Sequence, residues 1–333
     1  MKEVIKLIHG DGGKHTQMLI KELFYKNLNN KLLLQQQDAA VFKTMEGKMA
    51  FTTDSFVVKP LFFSGGNIGK LAVCGTINDL VVSGAKPLYL SAGFIIEEGF
   101  ALETLEEIVK SMGEVCHECG ANIVTGDTKV VEKGSVDGIF INTSGIGSIL
   151  NGYEIKPTKA GDEIIVTGKV GDHGTTIAAN RYDIKVKGDF KSDCAPIYPF
   201  IEKLKEDFTS IKIMRDPTRG GLATVLHEFS SLCNLGIHLI EEEIPISEGV
   251  ITINKLLGLE PLYMACEGRM VLVVKASESQ HILKIIQSID QGKDAKIIGK
   301  FVKEPKDTIF IENYFGGMRI LAPLDGNMLP RIC

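Results

Sequence analysis

The chain has 333 residues, 44% of them hydrophobic and 24% charged, with a formal net charge of −5. This composition excludes a disordered chain, and the length exceeds one ordinary core, so two domains are expected. The acidic balance and scattered Lys and Arg exclude a nucleic-acid binder, and the lack of any apolar run of ~18 residues excludes a membrane span, so a cytoplasmic protein is expected.

The first feature is a glycine-rich turn, His9-Gly10-Asp11-Gly12-Gly13-Lys14-His15, followed by an amphipathic run through Met18, Leu19, Leu23 and Phe24. It predicts a loop and then a helix in an N-terminal segment, residues 1–36. Gly13-Lys14 lacks the upstream glycine and the following hydroxyl residue of a standard phosphate loop, yet a glycine-rich nest can still wrap phosphates with backbone N–H groups. From Ala40 to Ser148, β-rich runs at Ala50 to Thr53, Phe56 to Val58, Leu88 to Ile96, Asn122 to Thr125 and Gly138 to Gly147 are separated by two helical segments. The first runs from about Gly69 to Ser83. The second sets Leu105, Ile108, Val109, Met112, Cys116 and Cys119 on one face and stops at Gly120. These elements predict an α+β domain over 37–156.

The polar stretch Ile155 to Asp162, with Pro157 and Gly161, marks the boundary. A second α/β domain is expected over 157–312, with strands at Glu163 to Thr167, Gly236 to Ile240, Met270 to Lys275, Ala295 to Val302 and Thr308 to Glu312. Its helices are expected around Gly221 to Cys233 and Glu278 to Ser288. Beyond Glu312, Gly316, Gly317, Pro323, Gly326 and Pro330 forbid a long regular element, while Phe315, Met318, Ile320 and Leu321 call for a groove. Residues 313–333 are therefore expected to form a mobile tail.

An odd number of cysteines, seven, fits reduced thiols better than a disulfide framework. Cys116 and Cys119 have metal-ligand spacing but no second pair, and their place on an apolar helical face reads as buried thiols. Cys333 differs, because a terminal thiol on a Gly- and Pro-rich segment is sterically free to enter an active site. Asp38, Asp54, Asp79 and Asp127 stand at the ends of β-like runs or inside the first helix. Taken singly each reads as a turn or cap residue; converging, they would suit Mg²⁺ and nucleotide phosphates.

The motifs Gln37-Asp38-Ala39-Ala40-Val41, Thr53-Asp54-Ser55, Gly75-Thr76-Ile77-Asn78-Asp79-Leu80, Gly126-Asp127-Thr128-Lys129-Val130, Gly171-Asp172-His173-Gly174, Arg215-Asp216-Pro217-Thr218-Arg219-Gly220-Gly221-Leu222, Ala265-Cys266-Glu267-Gly268 and Pro330-Arg331-Ile332-Cys333 span the chain. Together they resemble the HypE family of hydrogenase maturation proteins, in the superfamily of aminoimidazole ribonucleotide synthetase and selenophosphate synthetase. The resemblance implies a two-domain aminoimidazole ribonucleotide synthetase-like fold and a homodimer whose N-terminal domains pair sheet to sheet into a β-barrel. It further implies ATP bound in the cleft between subunits and domains, Mg²⁺ held by Asp38, Asp54, Asp79 and Asp127, and a flexible C-terminal tail. Lys129 and Arg219, and more weakly Lys14, are expected on phosphates. By the same resemblance, the carbamoyltransferase HypF loads a carbamoyl group onto Cys333, ATP drives its dehydration to thiocyanate, and the HypC-HypD iron carrier receives the cyanide ligand for [NiFe]-hydrogenase.

Glu267 is expected to be the base that deprotonates the carbamoyl nitrogen, from its place in Ala-Cys-Glu-Gly; a structural charge is the alternative. Selenophosphate synthetase is a rival, but it should carry Cys or selenocysteine in the N-terminal loop, and none lies between Met1 and Val73. A purine-pathway synthetase would leave Cys333 unexplained. A non-catalytic scaffold docking through its tail would show no Mg²⁺-dependent ATP binding.

Overall fold

The computed structural model describes residues 3–35, 39–43, 46–185 and 190–326, so Asp38 and Cys333, both expected at the site, lie outside the described residues. The N-terminal segment begins with the glycine-rich turn and then α1 (Lys14–Leu19), which passes through a π-helical turn (Ile20–Phe24) into α2 (Tyr25–Asn27). Leu19, Leu23 and Phe24 are buried against the domain that follows.

That domain consists of β1 (Met49–Phe56), a short ladder of β2 (Phe62–Phe63) and β3 (Gly66–Asn67), α3 (Ile68–Val82), β4 (Ala85–Glu97), α4 (Leu102–Cys119), β5 (Asn122–Val131) and β6 (Ile139–Ile149). Its four-stranded sheet has the order β1-β6-β4-β5, antiparallel except for the β4–β5 pair, which α4 connects. The Asn67 side chain caps α3 by accepting from Gly69 N and Lys70 N. α3 is apolar around nearly its whole circumference because it lies between this sheet and the second domain. α4 ends where Gly120 adopts φ +65°, as expected.

The expected run Ala50 to Thr53 extends to Phe56 in one strand that leaves out Val57 and Val58, and the strand expected to stop at Thr125 continues to Val131 because β4 offers pairing partners along its whole length. The sheet face away from α3 and α4 is open, with Phe51 72% exposed. No closed barrel forms among the described residues.

The second domain contains β7 (Glu163–Val166), α5 (Asp172–Arg181), α6 (Tyr198–Leu204), β8 (Ile211–Arg215), α7 (Gly221–Cys233), β9 (Gly236–Ile240), α8 (Glu248–Leu257), β10 (Val271–Val274), α9 (Ser279–Gln287), β11 (Lys296–Val302), β12 (Ile309–Glu312) and β13 (Met318–Ile320). Its seven-stranded sheet has the order β13-β12-β9-β11-β7-β10-β8. The central strands read as unbroken apolar runs because both faces are covered. In β10, Leu272 and Val274 join the core shared with the N-terminal domain, while Val271 and Val273 join the core under α7. Buried Lys212 on β8 bonds to Asp162 Oδ2 at 2.6 Å and to the Pro157 carbonyl, pinning the start of the domain to its edge strand.

Residues 313–321, expected at the start of a mobile tail, are instead held on the sheet. Residues 313–317 form a tight hairpin turn, β13 pairs with β12, and Leu321 is buried, so the sheet holds the chain through Leu321. Glycine at 316 and 317 breaks only the turn, which is where a hairpin needs it.

Candidate active site

α3 gathers the site. Asn78 Nδ2 donates to the carbonyls of Ala195 and Glu267, at 3.2 Å each, and its Oδ1 accepts from Ile197 N at 2.9 Å. One residue on, Asp79 accepts from Thr52 Oγ1 of β1 at 2.7 Å, and Asp54 lies on the same face of β1 as Thr52. β8 ends at Arg215, and the loop leaving it carries Asp216 and Arg219 and enters α7 through Gly220 and Gly221, with φ of +79° and +60°. A Cβ on Gly221 would sit 2.5 Å from the Met264 carbonyl oxygen, so only glycine lets this loop meet the strand of chain holding Glu267. Cys266 N donates to the Pro217 carbonyl at 2.9 Å, and the Asp193 carboxylate accepts from Glu267 N and Gly268 N, both at 3.2 Å. The structure thus brings Asp54, Asp79, Asp216 and Glu267 to the seam between the domains, with Arg219 exposed at the rim.

The carboxyls perturb one another. Burial, and then the neighbouring Asp79, push the Asp54 carboxyl up to about 6 against the pull of Arg219. Burial also raises Asp79, with the Thr52 hydrogen bond and Arg215 opposing. Asp216 is pushed up to about 7 by burial and then by Asp79. Glu267, only 2% exposed, is raised well above the carboxylate range by burial and then by Cys194 and Asp216. Its Oε1 is buried without a hydrogen-bond partner, an arrangement that costs free energy unless a bound group supplies the bond.

Asp127 and Lys129 lie elsewhere. They form an ion pair at 3.4 Å on β5, at the opposite edge of the sheet from β1. Asp127 pairs with Gly93, whose row faces away from the buried Ala92 and Phe94, so its side chain shares the open face; Asp54 faces α3. With β6 and β4 between the two edges, three strand spacings of ~4.8 Å separate the residues, and no cluster of three or more metal-ligating side chains forms among the described residues. Among the described residues of a single chain, Asp54 and Asp79 thus lie together and Asp127 apart from them, while Asp38 lies outside those residues.

Asp127 and Lys129 border a cavity of about 240 Å³. Phe24, Leu28, Leu33, Phe94 and Ile123 give it an apolar interior; Gly10, Gly12, Thr16, Thr128 and Lys129 give it a polar rim. Gly12, at φ +79°, donates its N–H to Thr16 Oγ1, and Gly10 packs so closely on β5 that a Cβ would lie 2.8 Å from Val130 N. Lys14 is exposed at the start of α1.

Of the groups not singled out in the sequence, Asp216 stood inside the Arg-Asp-Pro-Thr-Arg-Gly-Gly motif, which was a usable signal; Asp193 had none. Cys116 and Cys119 are buried free thiols, and burial pushes the Cys116 thiol up to about 12, which makes it inert at neutral pH.

The AIR synthase related protein N-terminal domain matches residues 36–149 and its C-terminal domain residues 159–312. The chain is 44% identical to carbamoyl dehydratase HypE of Escherichia coli strain K12, over 99% of each. The crystal structure of hydrogenase maturation protein HypE in complex with ATP superimposes with a TM-score of 0.93 at 40% identity, over 98% of this chain and 99% of that one. HypE in the crystal structure of the HypE-HypF complex superimposes with a TM-score of 0.81 at 46% identity, over 92% of this chain and 99% of that one.

Proposed function

The chain belongs to the HypE family of AIR synthase related proteins, and from that premise we propose that it is the ATP-dependent carbamoyl dehydratase of hydrogenase maturation, acting on a carbamoyl group carried by its own Cys333. The observation that carries this reading is identity over essentially the full length to dehydratases of that name.

The cavity beside the glycine-rich turn suits a nucleotide, with an apolar interior for a base and, at its rim, a turn at Gly10 and Gly12 that carries no bulky side chain and lets phosphates approach the backbone. Asp127 would hold Mg²⁺ beside those phosphates where they leave the cavity toward the open face, and Lys129 would neutralise their charge. ATP supplies the phosphoryl group that turns the carbamoyl oxygen into a leaving group. The balance is R–S–CO–NH₂ + ATP → R–S–C≡N + ADP + phosphate + H⁺, so both nitrogen protons must leave. Glu267 accepts a proton from the carbamoyl nitrogen as the carbon–oxygen bond to phosphate breaks. A carboxyl raised by burial is a stronger base, once ionised, than one at the surface. Arg219, at the rim, neutralises charge on the phosphoryl group, and Asp54 and Asp79 hold Arg219 and Arg215 in place.

Two further parts follow from family membership. A second copy packs on the open face of the four-stranded sheet, covering Phe51 and bringing the Asp127 site of one chain towards its partner in a homodimer. HypF loads Cys333, supported by the complex formed by a relative at 46% identity, and HypC-HypD receives the cyanide.

Mass spectrometry of the C-terminal peptide tests the reading after incubation with the carbamoyltransferase, carbamoyl phosphate and ATP. Cys333 gains about 43 Da and then loses about 18 Da as this protein hydrolyses ATP. An unmodified Cys333 beside a demonstrably active transferase refutes it.

A further inference from the structure

The hairpin of β12 and β13 displays its side chains in a way its own fold does not require. At the turn, Tyr314 and Phe315 are 80% and 91% exposed, with their rings packed edge to face at 5.4 Å. They are held there firmly: Asn313 Oδ1 accepts from Phe315 N and Gly317 N, Asn313 N donates to the Gly317 carbonyl, and Glu242 accepts from Tyr314 N. A rigid, water-exposed aromatic pair is costly in a folded chain and is the usual anchor of a protein interface.

The surface continues along the sheet. β13 is an edge strand whose exposed Met318 and Ile320 stand opposite Glu312 and Phe310, which in turn stand opposite Ile240 and His238. Ile309 and Ile311 point the other way, into the core under α7. The result is an apolar patch at a sheet edge, bordered by Glu241, Glu242, Glu243 and Glu312; Arg319 pairs with Glu241, Lys296 with Glu243 and His238 with Glu312, and Lys300 stands opposite His238 on β11.

Position identifies the occupant. β8, β7, β9 and β12 all run the same way in the sheet, so the turn at 313–317 lies at the same end as the Asp216–Arg219 loop. Beyond β13 the chain is led to that loop: Leu321 is buried, the Ala322 carbonyl accepts from Tyr263 Oη at 2.6 Å, and Leu324 approaches Gly220. From Gly326 the seven residues to Cys333 reach at most ~25 Å. A catalyst that modifies Cys333 therefore acts within ~25 Å of Gly326, a range that takes in this end of the sheet. A second copy is disfavoured on the patch, because a two-fold contact would set its acidic border against itself.

We propose that Tyr314, Phe315, Met318, Ile320 and Ile240 form the docking surface for the carbamoyl-transferring protein that loads Cys333, a partner with an apolar cleft rimmed by cationic side chains. The inference rests on the reading that Cys333 is the loaded thiol. Its test is the full-length Tyr314→Ala/Phe315→Ala variant, with Met318→Lys as a second, since all three side chains are exposed and leave the cores intact. Affinity for the transferase falls at least tenfold and kcat/KM for loading falls equally, while ATP-dependent dehydration of chain already carbamoylated with cyanate is unchanged. Affinity and loading within twofold of the parent overturn the docking surface alone. So does a variant that loses self-association in sedimentation, which assigns the patch to a second copy. A parent chain that accepts no carbamoyl group from an active transferase overturns both the reading of Cys333 and the docking inference.

Discussion

Glu267→Gln separates the chemistry of the buried carboxyl from its place in the fold. The backbone bonds that seat residue 267, from Asn78 and to Asp193, involve main-chain atoms and survive the exchange, and Gln has nearly the same volume. What is lost is a proton acceptor, worth roughly 10²- to 10⁴-fold in rate, or ~3 to 5.5 kcal/mol of barrier. Single-turnover thiocyanate formation from carbamoylated enzyme, followed by quenched-flow mass spectrometry at pH 7.5, reads that loss directly. Stability moves the other way. The folded chain holds the Glu267 proton to higher pH than the unfolded chain does. The carboxyl is therefore harmless below its unfolded pKa and increasingly destabilising as pH rises above it. The Gln variant matches the parent near pH 4 and becomes more stable than it by pH 8 in denaturant titration. A single-turnover rate within twofold of the parent refutes Glu267 as the base. A variant less stable than the parent at pH 8 refutes the burial argument behind its raised pKa.

Other perturbations test the surroundings. Asp216, pushed up to about 7 from 3.8, carries a like penalty that is complete above pH 7 and absent below pH 4. Asp216→Asn accordingly gains up to ~4 kcal/mol at pH 8 and nothing at pH 4, by urea unfolding at the two pH values. Gly10→Ala forces the glycine-rich turn off Val130, and KM for ATP rises about tenfold in a coupled ATPase assay, as expected for removing one to two charge-assisted bonds. Lys212→Met strands the Asp162 carboxylate in the core and costs ~3 to 5 kcal/mol, seen as a drop in the thermal midpoint.

Local signals carried far in this chain. The apolar stripe from Leu105 to Cys119 and the glycine after it defined α4, because helix periodicity and a left-handed cap are properties of a few adjacent residues. The motif residues Asp54, Asp79, Asp127, Arg219 and Glu267 were also legible one by one. Their grouping was not: strand order puts Asp54 and Asp127 on opposite edges, and the two-residue repeat of a strand puts them on opposite faces. Asp216, Asp193 and Asn78 join Glu267 only because α7 starts at a glycine pair that lets two loops touch. The hairpin at 313–317 likewise depended on an edge of β12 being available for β13, a long-range pairing that composition cannot report. Sequence determined which chemistry the chain carries and where its elements begin and end, since those follow from neighbours along the backbone. Tertiary structure decided which carboxyls share a site and how far each is displaced from its ordinary pKa, since burial and proximity depend on residues as much as 189 positions apart.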